Sequence, residues 1–266
     1  MSQPVLEVHN VAAGYDKGPD ILHGVSVKAY AGTVTTLIGP NGCGKSTLLK
    51  TMSHLLSPRS GEVTIHGEPL HSLNAREAAL RIALLPQHPM APEGLTVGEL
   101  IARGRHPHRG RFQGLSQADK HAIENSCTAT DVAALLQNDI AALSGGQRQR
   151  VWLAMTLAQD TPVLLLDEPT TFLDPAHAIE MLGLARDQAR NGKAVVMVLH
   201  DLMMAGQYSD HLVVMKSGTV IAEGHPDEAL NPQVLEETYG LDADVWEDPK
   251  GQGPVIVPRG VVRRQD

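Results

Sequence analysis

An α/β fold around a buried parallel sheet is what this sequence predicts, and three observations predict it. A β-branched apolar run, Thr33-Val34-Thr35-Thr36-Leu37-Ile38, feeds a glycine-rich stretch and then a helix-like run, residues 47–52. Two further apolar runs, residues 163–166 and 194–199, lack the alternation of a half-buried strand and suit strands covered on both faces. Each of those runs stops at polar residues, Asp167-Glu168 and His200-Asp201, and α/β sheets place ligands at the carboxyl ends of their strands. A chain of 266 residues with 42% hydrophobic and 20% charged residues has ample material for one large domain, or for one domain with a small appendage.

The glycine-rich stretch is Gly39-Pro40-Asn41-Gly42-Cys43-Gly44-Lys45-Ser46-Thr47. It satisfies G-x-x-x-x-G-K-[ST] in the strand, loop and helix context that this motif requires. Glycines let successive backbone N–H groups converge on one point, and the first turn of the helix adds unpaired donors and the positive end of its dipole. Lys45 can then reach the β- and γ-phosphates of a nucleoside triphosphate, and the Ser46 hydroxyl can ligate Mg²⁺. An ordinary glycine-rich turn does not need this context.

Charge and composition narrow the classes. A net charge of −8 argues against a general nucleic-acid binder, and 3% aromatic residues argue against a base-stacking platform. Two cysteines, Cys43 and Cys127, make no disulfide framework and point to a reducing compartment. The first residues lack a basic segment followed by an apolar one, so no secretory signal is expected. No apolar run approaches the roughly 18 residues of a membrane span, so a cytoplasmic chain is expected.

In chain order, residues 5–9 and 25–30 read as short strands around a Gly/Pro/Asp loop, residues 14–20. Tyr15 at the mouth of that loop either packs beneath it or stacks on a base. Residues 61–67 form a compact strand between glycines, and residues 81–85 form another that ends at Pro86-Gln87. The Gln87 amide is either a turn residue or a group able to ligate Mg²⁺ and sense the γ-phosphate. Residues 96–136 read as helical, with Thr96 and Ser116 as N-caps. They include the run Arg103-Gly104-Arg105-His106-Pro107-His108-Arg109-Gly110-Arg111, next to Phe112. That run is a solvated face, a His-x-His metal site short of further ligands, or a docking surface; the acidic whole disfavours a nucleic-acid patch.

Leu143-Ser144-Gly145-Gly146-Gln147-Arg148-Gln149-Arg150 comes next, ahead of a helix that is apolar nearly all round from Val151 and therefore expected to be buried. Ser144 is a natural N-cap, and Gly145 and Gly146 leave the N–H groups of the first turn accessible. This is a second anion-binding helix terminus. Two phosphate cradles in one chain require either two phosphates or one phosphate gripped from both sides. After the apolar strand 163–166, Asp167 would hold Mg²⁺ and Glu168 would orient or deprotonate an attacking water. A helix over 175–190 leads to the strand 194–199 and His200, which either serves the fold or touches the γ-phosphate. From residue 211 the pattern changes to short strands (212–215 and 219–222), turns and a helix over 232–238; residues 243–257 alternate strand-like pieces with Asp-Pro-Lys-Gly turn chemistry.

The ordered set Tyr15, Gly39–Thr47, Gln87, Leu143–Gln147, Val163–Glu168, Asp174 and His200 resembles the nucleotide-binding subunit of ABC transporters over essentially the whole chain. Leu-Ser-Gly-Gly-Gln is that family's diagnostic motif. The resemblance implies an ABC-type P-loop NTPase fold over residues 1–240, with an N-terminal antiparallel β subdomain, a helical subdomain at about 88–160, and a small C-terminal extension, 241–266. It implies a head-to-tail dimer in which one copy's P-loop and the other's Ser144–Gln147 sandwich each ATP, which would account for the second cradle. By the same resemblance Tyr15 stacks on adenine, Gln87 reaches Mg²⁺, Asp174 lies in the dimer-contacting loop and His200 contacts the γ-phosphate.

Gly104-Arg105-His106-Pro107-His108, Glu168-Pro169-Thr170-Thr171-Phe172-Leu173-Asp174 and the residues around His200 are similar to ferric-siderophore importers, whose relatives carry haem and cobalamin. Met203-Met204 departs from the polar residues common there. This resemblance implies an ATPase on the cytoplasmic face of the cell membrane, driving inner-membrane permease subunits fed indirectly by an extracytoplasmic substrate-binding protein. The run at 103–111 then becomes a surface for the permease. Soluble ABC ATPases that act on DNA or ribosomes are the distant alternative; those usually join two cassettes in one chain or carry a long coiled-coil insertion, and this sequence has neither. A P-loop kinase of another family would leave Leu143–Gln147 unexplained.

Overall fold

The computed structural model describes residues 3–110, 113–171 and 173–262. Arg111 and Phe112 beside the basic run, Phe172 and positions 263–266 of the expected extension lie outside the described residues. The chain opens with β1 (Leu6–Ala13) and β2 (Leu22–Ala29), then β3 (Val34–Ile38), α1 (Lys45–Met52), β4 (Ser60–Ile65) and the short β5 (Glu68–Pro69). α2 (Ala75–Ala79) and β6 (Ile82–Leu85) lead to three helices, α3 (Val97–Arg103), α4 (Gln117–Ala129) and α5 (Gly145–Ala158). β7 (Val163–Asp167), α6 (Pro175–Arg190), β8 (Ala194–Val198), α7 (Leu202–Tyr208), β9 (His211–Lys216) and β10 (Thr219–Gly224) come after them. The described chain closes with α8 (Pro226–Ala229), α9 (Pro232–Tyr239), β11 (Leu241–Glu247) and β12 (Pro254–Val261).

Three sheets result. A six-stranded sheet in the order β10-β9-β3-β8-β7-β6 is parallel except where β10 returns antiparallel to β9. Every residue of β3, β7 and β8 is buried, as suits strands covered on both faces, including the β-branched Thr35 and Thr36 of β3 and Asp167 at the end of β7. An antiparallel sheet, β2-β1-β4-β5, carries the N-terminal part, and β11 and β12 make a separate hairpin around the Asp-Pro-Lys-Gly turn. One core cluster joins β1, β2 and β4 to α1 and one face of the large sheet; the other joins the opposite face to α3, α5 and α6.

This order fixes where function can sit. β3, β8, β7 and β6 are consecutive neighbours and run the same way, so their carboxyl ends emerge side by side. Those ends carry the glycine loop, His200, Asp167-Glu168 and Gln87, four stretches spread over more than half the chain.

Two readings of local structure need correction. The first strand does not stop at His9: Asn10 takes a left-handed φ of 46° at a bulge, donates its N–H to the Ser26 hydroxyl at 2.9 Å, and lets β1 run on to Ala13. The stretch 96–136 is helical only in part. Thr96 and Ser116 do cap helices, each through reciprocal bonds with the acid three residues on, but Gly104 and Pro107 end the first helix and a loop separates the second. Nor is the basic run a uniform surface. Arg105 is buried, its Nε 2.8 Å from Asp119 Oδ1 and its guanidinium donating to Ala158 O at 2.8 Å, while the His108 ring bonds Gln159 O at 2.7 Å. Among its described residues, Arg103 and His106 are the exposed ones. Arg105 therefore joins α4 to the end of α5 and is no part of an exposed docking face.

Candidate functional site

α1 starts at Lys45 because Gly44, in the left-handed region with φ 105°, turns the loop into its first helical turn. Gly39 is constrained more tightly: its φ is 148°, and a Cβ there would stand 2.2 Å from Met215 O and 2.8 Å from Cys43 Sγ. The loop is thus pressed against the end of β9 at a point where no side chain fits. Lys45 is buried, and its ammonium folds back over the loop to donate to Gly39 O at 2.7 Å and Pro40 O at 3.1 Å. Asn41, Gly42, Gly44, Lys45, Ser46 and Thr47 line one cleft with Glu168 and His200, with a volume of about 210 Å³. The loop N–H groups, the helix start and Lys45 suit a polyphosphate.

Ser46 Oγ donates to Asp167 Oδ1 at 3.2 Å. Burial pushes the Asp167 carboxyl above its ordinary value against the bond from Ser46, and the negative charge of Glu168 pushes the same way. A hydroxyl and a charge-crowded carboxylate are hard oxygen donors of the kind Mg²⁺ takes, so these residues fit that ion. Gln87 stands with them by a different route, donating its amide to Glu168 Oε2.

Glu168 is the most constrained of the acids. Its backbone sits in the left-handed region at φ 51°, a conformation that costs a non-glycine residue on the order of 1–2 kcal/mol. Around it, Thr171 Oγ1 donates to Oε2 at 3.1 Å and His200 Nε2 lies 2.5 Å from Oε1. Both carboxylate oxygens are held, and the residue is 8% exposed. A carboxylate fixed beside a phosphate cradle can accept a proton from a water attacking there.

Tyr15 lies over α1, 40% exposed, its hydroxyl accepting from Lys50 Nζ at 3.2 Å and Thr47 Oγ1 at 3.5 Å, with that ammonium 5.2 Å from its ring centroid. It borders the loop helix with part of its ring open, so a base can reach it.

Ser144–Gln147 is not brought to this cleft. Ser144 caps α5: its Oγ accepts from Gln147 N at 3.3 Å, and Gln147 Oε1 accepts from Ser144 N at 3.1 Å. Ser144 and Gly145 are exposed and Gly146 is half-buried, while from Val151 onward the helix is almost wholly buried. Asp174 keeps company with that helix start. It caps α6, Oδ1 accepting from His177 N at 3.0 Å and Oδ2 lying 2.7 Å from His177 Nδ1, and those bonds hold its carboxyl below the usual value.

Three positions escaped the sequence reading. Thr171 holds Glu168, Gln149 Nε2 donates to Pro169 O at 3.1 Å and so ties α5 to the turn after Glu168, and the His177 ring rests beside Gly146. A hydroxyl three residues after a candidate base and a histidine three residues after a capping aspartate are the signals that could have found two of them; the Gln149 contact joins distant segments and leaves no such trace.

Comparison with known proteins agrees with this geometry. A family model described as ABC transporter matches residues 22–171. The iron(3+)-hydroxamate import ATP-binding protein FhuC of Bacillus subtilis is 43% identical over 92% of this chain and 91% of its own length. The ferric enterobactin transport ATP-binding protein FepC of Escherichia coli is 41% identical over 96% and 94%. Among solved structures, the dimeric structure of MJ0796, a bacterial ABC transporter cassette, superposes with a TM-score of 0.72 at 27% identity, covering 83% of this chain and 98% of that one.

Proposed function

The chain belongs to the ABC transporter family, and from that premise we propose that it is the ATP-hydrolysing subunit that powers import of an iron(III)–siderophore complex through a separate membrane permease. It binds ATP, acts as a dimer beside permease subunits, and couples hydrolysis to transport. The ferric cargo is favoured over haem and cobalamin because FhuC and FepC are both named for a ferric chelate. The finer assembly belongs to the same proposal. The dimer is head to tail, the permease lies in the inner membrane, this chain sits peripherally on its cytoplasmic face, and an extracytoplasmic binding protein delivers the cargo. Among the described residues no helix is long and apolar enough to cross a membrane.

One observation carries the shared-site reading. The loop Gly39–Thr47, Asp167, Glu168, Gln87 and His200 gather at one set of strand ends, while Ser144–Gln147 does not line that cleft and leaves Ser144 and Gly145 exposed to solvent. A second chain is then needed to complete each site. In this reading Lys45 and the loop N–H groups neutralise the β- and γ-phosphates, and Tyr15 stacks on adenine. The partner's Ser144–Gln147 closes over the γ-phosphate, with Asp174 at the joint. Ser144 is preorganised for this: its oxygen accepts from Gln147 N while its proton remains free to donate. Ser46, Asp167 and Gln87 would hold Mg²⁺, which supplies charge neutralisation at the phosphates when bound. Glu168 accepts the proton of the attacking water, and Gln87, Thr171 and His200 fix its orientation.

The test is uptake of a labelled ferric siderophore in a strain lacking this chain, complemented by the parent or by Lys45→Ala, with haem and cobalamin supplied in parallel arms. The parent should restore ferric uptake and the variant should not. Unimpaired ferric uptake in the deleted strain would overturn the cargo. Full restoration by Lys45→Ala would overturn the role of ATP.

A further inference from the structure

His177 has no part in the nucleotide machinery, yet it lies between two of its members. Its backbone N–H and its Nδ1 occupy both oxygens of Asp174, at 3.0 and 2.7 Å. Its ring faces the start of α5: a Cβ added to Gly146 would stand 3.6 Å from the ring's Cγ and Cδ2 and 3.8 Å from Nε2. That is ordinary van der Waals spacing for the added atom, so the ring flanks the second glycine of the Ser144–Gln147 turn with room for about a methyl group between them. The imidazole is 43% exposed, and both Asp174 and Ser144 beside it are exposed as well.

A second tie lies at the other end of the same segment, where Gln149 Nε2 donates to Pro169 O. In the same segment Thr171 N donates to Glu168 O and Leu173 N donates to Thr170 O, both at 3.2 Å. The segment is therefore tied to the first turns of α5 by an amide–carbonyl bond just after Glu168, and just after Asp174 it is flanked by the His177 ring, which bonds Asp174 and faces Gly146 on the same helix start.

From this arrangement we infer that His177 is a positioning residue that fixes the Asp174 turn against the Gly145–Gln147 helix start, so that the two elements one chain presents to its partner's nucleotide move as a single surface. The inference rests on the shared-site reading. Two mobile elements docking independently would each lose conformational freedom on closure; a preformed surface has already lost it, so closure is more favourable. His177 does this with two separable functions: a donor to Asp174, and a flat ring that fills the space beside Gly146.

The experiment uses the full chain carrying Glu168→Gln, so that ATP is bound without being consumed, and measures ATP-dependent dimer formation by analytical ultracentrifugation. Binding of a fluorescent ATP analogue at protein concentrations below dimerisation is measured in parallel. Adding His177→Ala should raise the protein concentration for half-dimerisation about tenfold or more, with monomer nucleotide affinity changed less than about twofold. His177→Asn, whose amide can still donate to Asp174, should recover part of that loss, and His177→Phe, which keeps a ring and loses the donor, should recover less. A simple loss of folding would lower nucleotide affinity as well, and rescue graded by the donor is not expected of a ring that merely fills space. If the Glu168→Gln chain dimerises with ATP and His177→Ala dimerises equally well, the inference is wrong and the shared site stands. If the Glu168→Gln chain stays monomeric at saturating ATP, the shared site itself fails and the role of His177 fails with it.

Discussion

Replacing Glu168 by glutamine removes a proton acceptor while keeping its shape, and the structure lets the consequences be separated. The glutamine oxygen can keep the Oε2 partners, the Gln87 amide and the Thr171 hydroxyl, both of which donate. The new NH₂ then faces His200 Nε2, which can accept when the ring proton is on Nδ1. No buried donor or acceptor is stranded, so folding and ATP affinity should change little, within about 1 kcal/mol. What is lost is the base. A positioned general base contributes about 10²–10⁴ in rate, or roughly 3–5 kcal/mol of barrier. Phosphate release under saturating ATP should therefore fall at least a hundredfold, while equilibrium binding of ATP stays near the parent's and a closed dimer accumulates on gel filtration. Turnover within tenfold of the parent would refute the argument, because a carboxylate held at both oxygens in a left-handed turn would then have some role other than accepting a proton.

Two further outcomes are expected. Ser144→Arg and Lys45→Ala chains should each be inactive alone, and an equal mixture should recover about a quarter of parent ATPase activity, since half the dimers are mixed and each mixed dimer has one intact site; no recovery at any ratio would count against a site shared between chains. Asp119→Ala strands the buried Arg105 guanidinium and should cost about 3–5 kcal/mol, lowering Tm by roughly 10 °C in thermal unfolding. The Ser116 hydroxyl first, and Arg105 second, hold the Asp119 carboxyl well below the usual carboxylate range. Because the folded value is depressed, the unfolded chain takes up the proton first. The contribution is complete above about pH 4 and is lost as pH falls below it, so stability should drop more steeply there in the parent than in Asp119→Ala.

How far the sequence carries depends on the range of the interaction. The strands β3, β7 and β8 were legible because strands buried on both faces carry apolar or β-branched residues at almost every position instead of alternating, and the helix starts at Thr96, Ser116 and Ser144 because a cap is a local bond between residues three apart. That Asp167, Glu168 and His200 end such strands was equally visible, whereas the order β3-β8-β7-β6 that brings Gln87 alongside them was not, since neighbouring strands here come from distant segments. The same limit explains Arg105. A run dense in arginine and histidine reads as exposed charge, but one of its arginines finds Asp119 across a helix–helix junction, and nothing at that position in the sequence marks the partner. Short α7 stayed hidden for a different reason: seven residues containing Gly206 give too little periodicity to separate a helix from a turn.

The charges of the cleft carry one argument beyond the individual roles. Asp167 and Glu168 are adjacent and both nearly inaccessible, at 7% and 8% exposure, and the buried Lys45 ammonium nearby already bonds two loop carbonyls and neither acid. Burial raises the Asp167 carboxyl above its ordinary value, the bond from Ser46 opposes that, and the charge of Glu168 adds to it against the pull of Lys50 and Lys45. A nucleoside triphosphate brings several more negative charges to the same place. Lys45, the loop N–H groups and the α1 terminus can offset part of that, but the helix end supplies only about half a unit of charge. A divalent cation bound with the nucleotide would be held by the Asp167 oxygen that burial makes costly to leave ionised, and would supply positive charge both to that carboxylate and to the phosphates. Asp167 is thus placed where such an ion would favour its anionic form, and Glu168, held by Gln87, Thr171 and His200 rather than by Ser46, is the acid left to take a proton from water.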